Sequence, residues 1–476
     1  MPDPDTMAHE TLRLIGPDPA NWVPERPGPD GKPIDHNVLI VGGGQSGCAL
    51  AFGLRRAGIG KVTVIDQAAD EDAAGIWTNA ARMAVLRTAK TLPGPEQGLP
   101  GLGFQAWYEA RHGRDAYEAM VRIPRLAWAE YLAWYRHFLG VPVRYRTRLE
   151  RIDPAGGHFR LHLSADGVAR VETARKVILA NGFGGNGGTY VPPVLRENLP
   201  PALWAHTADA IDFAALRGRD IAVIGGAASA FDAAAVALEA GAGSVHLFVR
   251  RKVLASVPIS RVRGYPGAYD NYPFLPDRVR WHQAIRYRRA GSTAPADAIS
   301  RAGKHANFHL HLAAPWLEAR AEGARIAARA ADGEYRFDFA IAGTGYFVNP
   351  GARPELAEIA PHILLWRDRY TPPPGEEDAE LGAHPYLGAG HEYLEKAPGS
   401  APYLADIHVQ NPAGFVSLGV PVGDVPSMKR GIAAIVARVS RDLFLADLGA
   451  HERRMTAEVA PEFAEEIYAG AVWRRP

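Results

Sequence analysis

Two glycine-rich turns carry most of the chemistry this sequence can be read to hold. In the first, Gly42, Gly44 and Gly47 follow the apolar run Val38-Leu39-Ile40-Val41 and open an alanine-rich segment that ends near Ala57. The first glycine of such a turn permits the tight bend, and the second lets backbone approach a pyrophosphate. The third lets helix and strand pack closely. The helix start, with Ser46 in its first turn, offers unpaired N–H groups and a partial positive charge to phosphate oxygens. Asp66 ends the next apolar run and Gln67 follows it, so a carboxylate is placed to accept ribose hydroxyls. The bland reading is a glycine turn with no ligand. The strand before it, the helix after it and the acid downstream argue against that.

The second turn repeats the plan with altered chemistry. Gly225 and Ala227 take the first two positions, Ser229 lies inside the turn, and Ala230 takes the third. Alanine at the third position is still small enough for close packing, whereas Ala227 narrows the approach to a pyrophosphate. The acid is missing at the end of the next strand, where the chain reads Val249-Arg250-Arg251-Lys252. A carboxylate would repel a 2′-phosphate, and a guanidinium can grip one bidentately. The first site is therefore expected to take FAD and the second NADPH, with a solvated basic turn as the alternative for Arg250 and Arg251. Two sites with opposite ribose readers imply electron flow from a nicotinamide to a flavin.

Other candidates are weaker. Cys48 is the single cysteine, which excludes a disulfide framework, a CxxC zinc site and a redox dithiol. It sits in the first turn of a helix, where a thiolate could be favoured, but a small packing residue is the simpler role. His309 and His311 alternate on a strand and share a face a metal could use, with no third ligand nearby, so no metal is expected. No Ser/His/Asp nucleophile arrangement is visible. Val422-Gly423-Asp424 precedes a long helix predicted over 427–445, and it resembles the Gly-Asp that in two-dinucleotide flavoenzymes commonly meets the flavin's ribityl chain. Asp424 is the candidate for that contact.

The elements that must position these residues follow a simple plan. A chain of 476 residues exceeds what one core usually supports. The first 36 residues are rich in proline, from Pro2 and Pro4 to Pro29 and Pro33, and are read as an extended arm. Each glycine turn lies in a β-α-β unit, and an aromatic-rich helical stretch over 101–139 separates the first unit from strands near 142–146, 159–163 and 176–180. Strands near 308–312 and 336–342 complete the second module. The fold class is α/β, with two Rossmann-like dinucleotide-binding domains, one inserted in the other. The division places the arm at 1–36, the FAD domain at 37–205 and 346–476, and the NADPH domain at 206–345. A net charge of +1 gives no field arguing for nucleic acid or a lipid surface. With no signal pattern and no apolar run of roughly 18 residues, a cytoplasmic enzyme is expected. The oligomeric state stays open, with a homodimer as one candidate.

Read together, these motifs resemble the class B flavin-dependent monooxygenases, the flavin-containing monooxygenases most of all. Gly75-Ile76-Trp77 resembles the family's glycine–tryptophan segment, and Leu86-Arg87-Thr88 and Tyr131-Leu132, Tyr135 and Phe138 follow in the family's order. His206-Thr207-Ala208-Asp209 resembles its His-Ser-x-Asp stretch. Ser229 and Asp232 sit where its second loop has them, and Asp338 through Gly343-Thr344-Gly345-Tyr346 resembles the strand that returns to the FAD domain. The chain departs from the pattern at Ala89, Pro200, Ala202 and Ala210, which puts xenobiotic-type N- or S-oxidation and ketone insertion in doubt. Arg82-Met83, Leu86-Arg87-Thr88, Leu92, Gly94-Pro95, Ile123-Pro124-Arg125, Trp128 and Tyr131 are similar to bacterial sequences described as FAD-dependent urate hydroxylases.

The resemblance implies that NADPH reduces FAD and that O₂ then forms a C4a-hydroperoxyflavin in a water-poor pocket. The protonated form suits an amine, a thioether or an N-heterocycle such as urate. Arg87, His206 and Asp209 are the candidates near the reacting rings, with structural hydrogen bonding at the domain junction as their alternative. Trp77 joins the FAD-facing set. Three rivals remain open: an NAD(P)H:acceptor oxidoreductase without oxygen insertion, a Baeyer–Villiger-type ketone monooxygenase, and an FAD-holding sensor without turnover.

Overall fold

The computed structural model describes residues 3–28, 31–92, 94–419 and 422–475. Pro2 and Pro29 of the N-terminal segment lie outside these residues. That segment is not an extended arm: α1 (Pro4–Leu14) is a helix. Proline is tolerated at a helix start because its missing N–H would be unpaired there anyway, so Pro4 opens the helix rather than preventing it. Ala8 and Val23 are buried, and Trp22 Nε1 donates to Ala57 O at 2.7 Å, which ties the segment to the end of α2 (Gln45–Arg56).

The front sheet is built on β1 (His36–Val41), with β2 (Val62–Ile65) on one side and β6 (Val168–Leu179) on the other, both parallel. β3 (Val143–Arg144) extends the β2 edge, while β4 (Thr147–Pro154) and β5 (Phe159–Ala165) form an antiparallel meander with β6. Val38, Leu39 and Ile40 are fully buried because both sheet faces are covered. Burial of that kind is worth about 1.5–3 kcal/mol per side chain. The strand predicted over 176–180 covers only the last part of β6. The outer half of β6, over 168–173, is mostly exposed and mixes Val168, Ala169 and Val171 with polar residues, so it offers no continuous apolar run. The aromatic stretch is several helices, α3 (Arg125–Phe138) being the longest. Its buried Trp128, Tyr131 and Tyr135 pack in the core beside α2.

The second sheet repeats the arrangement. Its strand order is β11 (Phe308–His311), β10 (Ser244–Phe248), β9 (Asp220–Ile224), β15 (Phe339–Ala342) and β8 (Trp204–His206), all parallel. Trp204 and Ala205 thus belong to this sheet, although they precede the division at 206. The helix α4 (Ala228–Glu239) follows β9. A three-stranded antiparallel sheet, β12 (Trp316–Glu322), β13 (Arg325–Ala330) and β14 (Gly333–Phe337), interrupts the region read as one strand over 336–342. β7 (Gly187–Thr189) pairs with β16 (Tyr346–Val348) where the chain crosses between the units.

The C-terminal third returns to the front sheet. β17 (Ile407–Val409) runs parallel to β6, and α6 (Val425–Ala446) packs against α2. The segment 206–345 is not a self-contained body, because α5 (Asp277–Ala290) leaves it. Trp281, Ala284 and Ile285 of α5 share a buried cluster with Trp366, Leu381 and Val416. Among the described residues no helix is long and apolar enough to cross a membrane.

Candidate functional site

Both glycine turns emerge at the carboxyl ends of central parallel strands, where open α/β sheets place ligands. At the front turn, Gly42 has φ +110° and a Cβ there would collide with Ala180 O, while a Cβ on Gly47 would collide with Gly42 O. Glycine is thus required at both. At Gly44, by contrast, a Cβ would meet only Gly75 Cα, at 3.8 Å, so backbone here faces open space. Gly44 is the N-cap of α2 with no side-chain cap, which leaves the first amides of the helix to an outside acceptor. Asp66 accepts Gly43 N–H at 2.7 Å and Ala68 N–H at 2.8 Å. A carboxylate keeps lone pairs beyond those two bonds. Gln67 is exposed beside it and Ser46 is buried in the turn.

A cleft of about 270 Å³ opens against this turn, lined by Gly44, Gln45, Cys48, Gly75, Trp77 and Arg136 among others. Gln45 is a residue the sequence reading missed. Its amide donates to Gly423 O at 3.0 Å and accepts from Trp128 Nε1 at 3.2 Å, joining the front turn to the start of α6. Asp424 caps α6 by accepting Ser427 N–H at 2.9 Å, and burial pushes its carboxyl up to about 6. Cys48 is buried, and burial pushes its thiol up to about 12. A packing role fits that environment, and a reactive thiolate does not. These features fit a dinucleotide with a flavin at its far end: an open glycine backbone, uncapped amides, an acid at the ribose position and a capped helix facing them.

The second turn opens onto a larger cleft, about 900 Å³. Gly225, Ala227, Ser229, Arg250 and Arg251 line it, and Ala227 is the N-cap of α4, again without a side-chain cap. The third-position alanine is accommodated by the opposite strand. A Cβ on Gly343 would lie 2.7 Å from Ala230 Cβ, so glycine at 343 makes the room that alanine at 230 uses. The two arginines differ. Arg251 donates to Ala290 O at 3.0 Å and is pinned against Gly291, whereas Arg250 is exposed and has no protein partner among the described residues. An unpaired guanidinium beside a glycine turn fits a nucleotide bearing an extra phosphate.

The cleft continues from Arg250 to the junction with the front module. There it is lined by Phe183, Tyr346, Tyr287, His384, Pro412 and Phe415. Phe183 and Tyr346 stack with centroids 5.3 Å apart, yet stay 49% and 41% exposed, an apolar pair held open to solvent. Neither Phe183 nor His384 was legible as a site residue, since no motif or periodicity marks them.

Arg87, His206 and Asp209 line neither cleft. His206 Nδ1 accepts Ala208 N–H at 3.0 Å, and Asp209 accepts His206 N–H at 2.7 Å, a closed turn of the structural kind. Burial pushes the His206 imidazole below its ordinary value. Arg87 sits 3.8 Å from the buried carboxylate of Asp232. His309 and His311 do gain a neighbour, His246 on β10, but its Nδ1 lies 2.9 Å from His311 Nε2 while His311 Nδ1 lies 2.6 Å from Asp332. Those ring nitrogens are engaged with each other and the acid, and among the described residues no cluster could hold a metal ion.

Comparisons agree with this geometry. The family model for pyridine nucleotide-disulphide oxidoreductases matches residues 39–264, although a lone buried cysteine cannot form the dithiol of that name. The solved structure of ornithine hydroxylase from Pseudomonas aeruginosa superposes with a TM-score of 0.67 at 18% identity, over 86% of this chain and 99% of that one. The ornithine N-hydroxylase of Kutzneria sp. 744, solved with reduced FAD, NADP⁺ and L-ornithine, gives 0.66 at 18% identity over 86% and 99%. At such identities these two speak for the fold alone. The FAD-dependent urate hydroxylase of Xanthomonas campestris pv. campestris is 38% identical over 444 residues, covering 93% of this chain and 92% of that one. The chain belongs to that hydroxylase's family.

Proposed function

We propose that this protein is an FAD-dependent, NADPH-consuming monooxygenase that hydroxylates urate or a closely related oxidised purine. The observation that carries the reading is the continuous cleft from the unpaired Arg250 to the junction with the front module. A nicotinamide dinucleotide stretched along it, with its 2′-phosphate on Arg250, would end beside the front module, which carries Asp66 at a strand end and Asp424 at the start of α6. The near full-length likeness to a urate hydroxylase supports the substrate.

Bound FAD supplies the redox chemistry, accepting a hydride from NADPH and activating O₂. The chain supplies the rest. The amides of Gln45 and Ser46 donate to the pyrophosphate, the Asp66 carboxylate accepts the adenosine ribose hydroxyls, and Asp424 accepts from the ribityl chain while capping α6. Trp77 and Gln67 close the adenosine side. At the second turn, the amides at the start of α4, flanked by Gly225 and Ala227, meet the NADPH pyrophosphate, and Ser229 faces it. With coenzyme and substrate seated against them, Phe183, Tyr346, Tyr287 and Phe415 would give up their water at the reacting end, where hydrolysis and uncoupling compete. The balance is urate, NADPH, O₂ and a proton giving hydroxylated urate, NADP⁺ and water. NADPH supply and a solitary reduced cysteine suit the cytoplasm.

The test is NADPH consumption by the purified yellow protein with purines, amines, thioethers and ketones offered in turn. Urate is expected to accelerate it with formation of an oxygenated product. Acceleration by an amine or a ketone in its place, with urate inert, would overturn the substrate.

A further inference from the structure

We infer that His384 is the hydrogen-bond acceptor that selects the substrate, taking a ring N–H of the purine on its Nε2. This rests on the function proposed above and names the recognition element of that site.

The argument begins with the ring's other nitrogen. His384 Nδ1 lies 2.8 Å from Ala413 O. A carbonyl oxygen can only accept, so the proton of that bond belongs to Nδ1. Burial pushes the imidazole down to about 4, so the ring carries a single proton across the neutral range. With that proton fixed on Nδ1, Nε2 on the opposite edge presents a lone pair and nothing else. The backbone has chosen the tautomer.

That acceptor edge is open. Nε2 has no protein partner among the described residues, and unlike His206 Nε2 and His408 Nε2 it is not sealed in the interior. His384 lines the large cleft. Two bonds connect it to the aromatic end of that cleft. Ala413, which holds the ring, follows Asn411, and Asn411 Nδ2 donates to Asn181 Oδ1 at 2.9 Å, two residues before Phe183. The loops bearing His384, Pro412 and Phe183 therefore form one wall. A fixed acceptor beside an exposed aromatic pair suits a flat heterocycle with N–H groups on its edge. A ligand methylated at the matching nitrogen leaves the lone pair unpaired and adds a clash.

The nicotinamide carboxamide also carries N–H groups, and the experiment separates the two donors. His384→Asn keeps an amide N–H for Ala413 O and deletes the Nε2 edge, while His384→Gln returns an acceptor near its place. The FAD-loaded full-length enzyme and both variants are assayed with urate and with each ring-N-methylated urate at saturating NADPH. In the parent enzyme one methyl position is expected to lower kcat/KM about 100-fold or more, since sites built to bond an N–H reject analogues lacking it. In His384→Asn, urate is expected to fall to about the level of that analogue, so the discrimination collapses. His384→Gln restores part of it, and FAD content and the KM for NADPH hold steady. Unchanged discrimination in His384→Asn overturns the inference alone, and so does a rise in the NADPH KM with urate kinetics unmoved. A parent enzyme inert toward urate and all its methyl derivatives overturns the proposed function and this inference with it.

Discussion

The Arg87 guanidinium of the front module lies 3.8 Å from the carboxylate of Asp232 on α4, an ion pair between the two nucleotide-binding units. Its partners are unequal: the Arg87 side chain is 43% exposed and that of Asp232 is 7% exposed. Burial outweighs the pull of Arg87 and raises the Asp232 carboxyl to about 6. A raised acid favours the folded state at low pH; that contribution is full below its ordinary value near 4 and is lost as pH climbs from there through about 6. Above it the charged carboxylate is a net cost. Asp232→Asn is therefore expected to raise the melting temperature at pH 8, by the equivalent of about 1–3 kcal/mol, and to change it little only below about pH 4. A lower melting temperature at pH 8 would show that the pair stabilises the junction.

Arg250 and Arg251 should separate by coenzyme. Loss of a charge-assisted phosphate contact is worth about 1.5–3 kcal/mol, so Arg250→Ala is expected to raise the KM for NADPH about 10- to 100-fold while leaving that for NADH nearly unchanged. Arg251 also holds Ala290 O, and Arg251→Ala is expected to weaken both coenzymes. Equal losses for NADPH and NADH in Arg250→Ala would remove it from the 2′-phosphate.

Asp424 caps α6 through Ser427 N–H. Asparagine preserves both the cap and an acceptor, so Asp424→Asn is expected to purify with normal flavin. Asp424→Ala loses about 1 kcal/mol of cap together with the proposed ribityl contact, and is expected to purify depleted of FAD. Normal flavin absorbance in Asp424→Ala would leave Asp424 only the capping role.

Cys48, with its thiol raised to about 12 and its side chain buried, is expected to react with an aromatic disulfide reagent only as the protein unfolds. Rapid labelling of the native enzyme, measured by absorbance of the released thiolate, would contradict that environment.

The parts legible in the sequence are those fixed by local geometry. Gly42 and Gly47 are required by contacts within one turn, Asp66 and Arg250 by their place at a strand end, and the last long helix by its period and its Gly-Asp start. What was not legible depends on distant segments. Pro4 looked like arm composition and is instead a helix start. β12 and β13 turn Ala319, Ala328 and Ala330 inward, residues with little strand preference, whose pairing is set by the sheet they cover. Ala230 alone could not announce that Gly343 makes room for it. His384 acquires its meaning only when Ala413 O accepts its Nδ1–H, and Arg87 only when Asp232 arrives from the other unit.

The central claim, that NADPH electrons reach oxygen and urate through this one chain, is tested most directly by stoichiometry. Purified FAD-loaded enzyme is given limiting NADPH with excess urate in air, and NADPH loss, O₂ uptake and hydroxylated urate are measured together. One O₂ and one hydroxylated urate per NADPH is the expected result. NADPH oxidation that yields only hydrogen peroxide, at a rate urate does not change, would contradict it.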